Sequence, residues 1–214
     1  MKKFRELSGK LVVAMLAVTL LIGCAIGGTV AWLTAKTDPV VNTFTYGDIN
    51  IDLWEHAYDA TTNALGTSKV TKVENYKIIP GVDLPKDPTV TVKANSEACW
   101  LFVKVQEENW PTFKETNGTT NKVSYAIATD WTALTGHTGV YYREVDATTA
   151  DTSFNILAGD TTYPDGVVRV SENLTKTEVN SITAGTQPKL TFTACAVQKD
   201  GFDTAAAAWA EASK

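Results

Sequence analysis

The chain has 214 residues, 44% of them hydrophobic and 20% charged, with a formal net charge of −5. That much apolar material argues against a disordered chain, and an acidic balance with no basic run argues against nucleic acid or anionic lipid as partners of the folded part. Three cysteines without zinc spacing, and two histidines outside any HExxH arrangement, remove the familiar zinc sites, so no metal or cofactor is expected.

The chain begins with Lys2, Lys3, Arg5 and Lys10 against a single acid, Glu6. An uncharged stretch follows from Leu11 to Ala35, and its first part is almost purely apolar. This is the grammar of a secretory signal, an N-terminal hydrophobic helix over residues 1–31. Thr29 and Ala31 supply the small side chains a signal peptidase requires, which places cleavage after Ala31 and makes Trp32 the new N-terminus. Removing a leader of net charge +3 leaves the mature chain at −8. Two other readings compete. Leu21-Ile22-Gly23-Cys24 fits a lipoprotein box with Cys24 as the lipidated residue, and the whole apolar stretch is just long enough, at ~20 residues, for a membrane anchor.

Residues 32–46 read as a flexible N-terminal segment, and residues 47–214 as one β-sandwich domain. Short stretches rich in Val, Ile, Thr and aromatics alternate with Gly, Pro, Asn and Asp, the spacing of an all-β sandwich. Strands are predicted at Thr43–Tyr46, Ile49–Trp54, Val73–Ile79, Thr89–Lys93, Ala98–Gln106, Val123–Ala128, Val140–Val145, Ser153–Leu157, Val167–Val170 and Leu190–Gln198. Pro80-Gly81, Pro85 with Pro88, Asn117-Gly118, Gly136, Gly139 and Pro164-Asp165-Gly166 supply the breaks.

One helix is expected between Val170 and Gly185, where Thr175 to Glu178 forms a capping box and Gly185 stands where a C-cap would fall. The alanine-rich tail from Asp203 to Ala210, with Asp203 as cap, needs to dock to be stable, and Trp209 is its natural anchor.

No catalytic residue emerges. His56 and His137 read as surface loop residues, serine-nucleophile and phosphate-cradle motifs are absent, and no Cys-His pair is close in sequence. Asp146, Asp151, Asp160 and Asp165 read as solvated loop acids rather than a calcium site. Trp54, Trp100, Trp110 and Trp131 would suit a sugar-stacking platform but read more simply as packing. Cys99 and Cys195 both fall in predicted strands, and export would allow them to pair. Their neighbours leave the matter open: Cys99 shares a face with Leu101 and Val103, Cys195 with Thr191 and Thr193.

The run GGTVAWLTAKTDPVVNTFTYGDINIDL at residues 27–53 resembles the start of TasA and camelysin-like proteins, which Gram-positive bacteria export through a dedicated, SipW-type signal peptidase. Asn42-Thr43-Phe44 and Gly47 fall where that pattern expects them. The closing stretch Leu190 to Gln198, followed by Asp200-Gly201-Phe202 and the Ala-Trp tail, is similar to the family's last strand and terminal motif. The departures are Cys24, Cys99 and Cys195.

The resemblance implies a jelly-roll-like antiparallel β-sandwich with one or two short helices. It also implies a secreted structural role, as subunit or accessory of extracellular biofilm fibres, with the same protein or paralogous matrix subunits as partners. The mechanism it suggests is donor-strand exchange, in which Trp32, Leu33, Val40, Val41 and Phe44 fill pockets in a neighbouring subunit. The twelve residues from Trp32 to Thr43 reach ~40 Å when extended, with Pro39 confining pairing mainly to one side of it. The camelysin branch also carries a peptidase label, which these residues do not support. The alternative expectation is a monomeric surface binding module held on a lipid at Cys24 or by a membrane anchor.

Overall fold

The computed structural model describes residues 47–74, 76–110, 122–183 and 185–213. The chain divides into Met1–Thr45 and Tyr46–Lys214. Everything expected of the leader and the N-terminal segment, the strand at Thr43–Tyr46 included, lies outside the described residues.

The described part is mostly β, with eleven strands: β1 (Ile51–Asp59), β2 (Ala64–Val70), β3 (Leu84–Pro85), β4 (Thr89–Val92), β5 (Cys99–Glu108), β6 (Val123–Tyr125), β7 (Thr132–Ala133), β8 (Val140–Val145), β9 (Thr152–Asn155), β10 (Val167–Val170) and β11 (Lys189–Gln198). Two helices complete it, α1 (Lys176–Asn180) and α2 (Ala205–Ala212). The strands form three antiparallel sheets in the orders β2-β1-β4-β9, β3-β10-β6 and β11-β5-β8-β7.

The pairs β3 with β10, β4 with β9 and β5 with β8 nest one inside the next. That is the nesting of a long hairpin of the jelly-roll kind, here with one pair in each of the three sheets, and β1 and β11 are added against β4 and β5. Alternation explains the packing. Ile51 and Leu53 of β1 and Val90 and Val92 of β4 turn inward to meet Leu101 and Val103 of β5 in one core cluster, while Leu190, Phe192 and Ala194 of β11 close it from the side. Each fully buried Val or Leu there contributes on the order of 1.5–3 kcal/mol. A second cluster lies under α1, around Tyr58, Trp110, Leu157 and Leu174.

β5 is buried on both faces over its first half, which is why Cys99 to Val103 reads as an unbroken apolar run, ended by half-buried Lys104. Its outer face, Trp100 and Phe102, is covered by α2 through Ala205 and Ala208. Small alanines let that helix lie close, and Trp209 sets its ring 5.3 Å from Phe102.

Several boundaries differ from expectation. Val73 to Ile79 is not a strand: only Ile79 makes a bridge, to Val82, while Val73, Tyr76 and Ile78 pack on the core without a ladder partner. β2 reads Ala-Leu-Gly-Thr-Ser-Lys-Val and stands as a largely exposed edge, so it carries little apolar signal. β3 contains Pro85, tolerable because β3 is an edge strand. The helix after Val170 spans only Lys176–Asn180. Its capping box at Thr175 and Glu178 is present, but Ser181 closes it rather than Gly185, donating its hydroxyl to the Glu178 carbonyl at 2.7 Å. The cap of α2 is Thr204, not Asp203.

Candidate functional site

Three features carry the chemistry of the described residues: an open strand edge, a buried ionic cluster and a polar groove.

The edge is β11. It pairs with β5 along all ten of its residues, Lys189 opposite Glu108 through Gln198 opposite Cys99. Among the described residues no strand lies on its other side. The Lys199 N–H bonds the Ala98 carbonyl at 2.8 Å, one step beyond that ladder. By antiparallel alternation the odd-numbered residues of β11 therefore exchange hydrogen bonds with β5. Leu190, Phe192, Ala194, Ala196 and Gln198 turn their N–H and C=O groups outward. On the β8 side of β5 the Val105 N–H reaches the Gly139 carbonyl at 2.8 Å, in keeping with the same alternation. Leu190 to Gln198 contains no charge and no proline, the two devices by which exposed edges usually resist pairing. Its apolar side chains are half-buried from Leu190 to Val197.

The ionic cluster sits between β1 and the link from β3 to β4. Lys86 Nζ lies 2.6 Å from Glu55 Oε2, with both side chains nearly buried. The aromatic rings of Tyr76 and Phe192 flank the ammonium at 4.9 and 5.7 Å. Gly166 holds Lys86 in place: its carbonyl accepts the Lys86 N–H at 3.0 Å, its φ is +144°, and a Cβ there would lie 2.2 Å from the Lys86 carbonyl oxygen. Next along the chain, buried Asp87 accepts the His56 N–H at 3.0 Å, and its Oδ2 stands 2.6 Å from His56 Nδ1. His56 is thus a half-buried strand residue tied to a carboxylate, not the surface loop residue expected. Burial pushes the Tyr76 phenol far above its ordinary value, with Glu55 and Asp87 adding to the effect.

The groove, about 650 Å³, lies on the outer face of the β2-β1-β4-β9 sheet. Register sets its floor: Asp52, Thr91 and Ser153 form one row across the strands, and Trp54 stands two residues further along β1. Trp54 Nε1 donates to Thr91 Oγ1 at 2.9 Å, which fixes the indole, and Lys69 Nζ rests 3.6 Å from its ring centroid. An exposed cation–π contact of this kind is worth about 0.5–1 kcal/mol, so Lys69 is a light cover. Of the four tryptophans weighed for stacking, Trp100, Trp110 and Trp131 are buried and Trp54 alone meets solvent in part.

The remaining predicted residues fall as follows. Ala31, Trp32, Leu33, Val40, Val41, Phe44 and Cys24 lie outside the described residues. Cys99 and Cys195 are free thiols. Cys195 stands opposite Phe102 and Cys99 opposite Gln198, three positions apart on the same strand pair. That offset separates them by about 10 Å and puts them on opposite faces, so no bridge can form between them. Burial raises both thiols, Cys99 to about 11. Asp151 is paired with Lys93, Asp160 with Arg169, and Asp165 approaches Asn155. The described residues contain no cluster of three or more His, Cys, Asp or Glu side chains placed to hold a metal, and no helix among them is long and apolar enough to cross a membrane.

β11 could be found in the sequence as a strand, but not as an edge, because edge status depends on which partner takes its other side. Comparison with known protein families, curated proteins and solved structures finds no match to this chain.

Proposed function

We infer that this chain is an exported structural protein whose subunits join by strand addition, the N-terminal segment of one subunit pairing with the β11 edge of the next. The observation that carries the inference is the character of that edge: ten residues long, with outward amides from Leu190 to Gln198, and free of charge and proline between them.

The reach of the donor matches the acceptor. Ten strand residues span about 33 Å, and the extended segment from Trp32 to Thr43 spans about 40 Å. Trp32, Leu33, Val40, Val41 and Phe44 are the side chains available to cover the half-buried Leu190, Phe192 and Ala194. The likeness of residues 27–53 to TasA and camelysin-like proteins supports the same role, in an extracellular matrix or at the cell surface of a Gram-positive bacterium. Under this inference the partner is a second copy or a paralogous subunit, and the role is not enzymatic.

Deleting Trp32 to Val41 from the mature chain tests it. Strand exchange predicts loss of polymers in sedimentation velocity with an unchanged far-ultraviolet spectrum. Polymers of undiminished length in the deleted protein would refute it.

A further inference from the structure

The groove above β1, β4 and β9 plays no part in strand addition at β11, and its chemistry points to a ligand of its own. Trp54 provides a flat apolar plate held edge-on by Thr91. Beside it, the Thr91 and Ser153 hydroxyls stand 2.8 Å apart, and each belongs to the row that begins at Asp52. Lys93 Nζ lies between Asp151 at 2.6 Å and Asp52 at 3.4 Å, and the Ala94 N–H holds the other oxygen of Asp151 at 2.9 Å. The groove therefore offers an aromatic face bordered by fixed donors and acceptors, with both carboxylates anchored.

A pyranose presents the complementary surface: C–H groups on one face of the ring and hydroxyls around its edge. The apolar face stacks on an indole, and adjacent hydroxyls donate to carboxylates while accepting from an ammonium. Charge selects among sugars. Lys72 is paired with Glu74 at 2.6 Å, and Lys93 with its two aspartates. Three lysines against three acids leave the groove without a positive field, and the mature chain carries −8, so a polyanion gains nothing here.

We propose that this groove binds a neutral hexopyranose unit of a polysaccharide, stacked on Trp54 in the place of the Lys69 ammonium. The site would let a fibre subunit hold the surrounding polysaccharide while β11 remains free for its neighbour. It does not depend on strand addition, because the groove lies on a different sheet from β11.

Nuclear magnetic resonance of the ¹⁵N-labelled mature protein tests it, with cellotetraose, N-acetylchitotetraose and tetragalacturonate as probes. A saturable shift of the Trp54 indole N–H with at least one neutral probe, at a Kd of about 1 mM, is expected. Asp151→Asn, at an exposed position, should weaken that binding about fivefold and Trp54→Ala about tenfold or more, while Lys69→Ala leaves it within about threefold or tightens it. The amide spectrum of Asp151→Asn reports whether the fold is intact. A groove silent to both neutral probes at ~20 mM would overturn the proposal. So would a response to the uronate alone, or binding that Asp151→Asn and Trp54→Ala both leave untouched. Filament formation is scored separately, so failure here leaves the strand-addition role standing and the reverse.

Discussion

Glu55 and Lys86 meet inside the fold, oxygen to nitrogen 2.6 Å apart, with 12% and 10% of their side chains exposed. Glu55 follows Ile51 and Leu53 on the inward face of β1, and the register with β2 shifts between His56 and Tyr58 so that Tyr58 also packs inward. The pair ties the first strand of the sandwich to the link before β4. Taking two charges out of water costs several kcal/mol each, offset here only because they neutralise one another.

Breaking the pair should therefore cost more than erasing it. Glu55→Ala leaves the Lys86 ammonium buried without a partner and should destabilise the protein by about 3–5 kcal/mol, whereas Glu55→Leu with Lys86→Met should come close to neutral or better. Urea unfolding of the three proteins at neutral pH gives the comparison. A double variant as unstable as the single one would show that the site needs its charges.

Acid should unfold the protein in part through Glu178. Its carboxylate accepts Lys122 at 2.8 Å and the Thr175 hydroxyl and backbone N–H at 2.7 and 2.8 Å, which hold it at about 2 against an ordinary value of 4.5. A carboxyl with its folded value depressed binds fewer protons folded than unfolded. Its contribution is thus complete above pH 4.5 and disappears as the pH falls towards about 2. Glu178→Gln should flatten the stability profile across that window and leave the profile above it parallel to wild type. Acid titration followed by circular dichroism would show it.

The thiols of Cys99 and Cys195 should behave as separate, unreactive groups. Burial raises both, and they lie on opposite faces of the β5 and β11 pair. Intact mass under non-reducing conditions should equal the reduced mass, and alkylation should be slow in native buffer and fast in denaturant. Half-buried Cys195 should react before fully buried Cys99.

Helix α2 should be held mainly by packing rather than by its own propensity, since eight residues are too few to persist alone. Trp209→Ala, which removes the ring against Phe102, should cost about 2–3 kcal/mol and free the tail for proteolysis after Lys199. Limited trypsin digestion of wild type and variant checks both effects.

The strands with an apolar face, β1, β4, β5, β8, β10 and β11, were legible in the sequence because their periodicity is set by the core they cover. The capping box at Thr175 was legible for a similar reason, being a local bond between residues three apart. Val73 to Ile79 misled because its composition suits a strand and its apolar side chains are indeed packed, but among its described residues only Ile79 makes a bridge. For Cys99 and Cys195 the face of each was readable from its neighbours, while the three-position offset that separates them arises from the pairing of β5 with β11. Glu55 and Lys86 are thirty-one residues apart, and the groove draws Asp52, Thr91 and Asp151 from three strand neighbourhoods. Such juxtapositions depend on register, which one strand's pattern does not contain.

Electron microscopy of Ala194→Pro beside wild type would decide whether β11 is the joining edge. Residue 194 directs its N–H away from β5, so proline there spares the β5 ladder, and removes one outward donor while its ring obstructs an incoming strand. Strand addition at this edge predicts filaments from the mature wild-type protein and soluble monomers from Ala194→Pro at an unchanged melting temperature. Filaments of equal length and number from a folded Ala194→Pro protein would mean that the subunits do not join through β11.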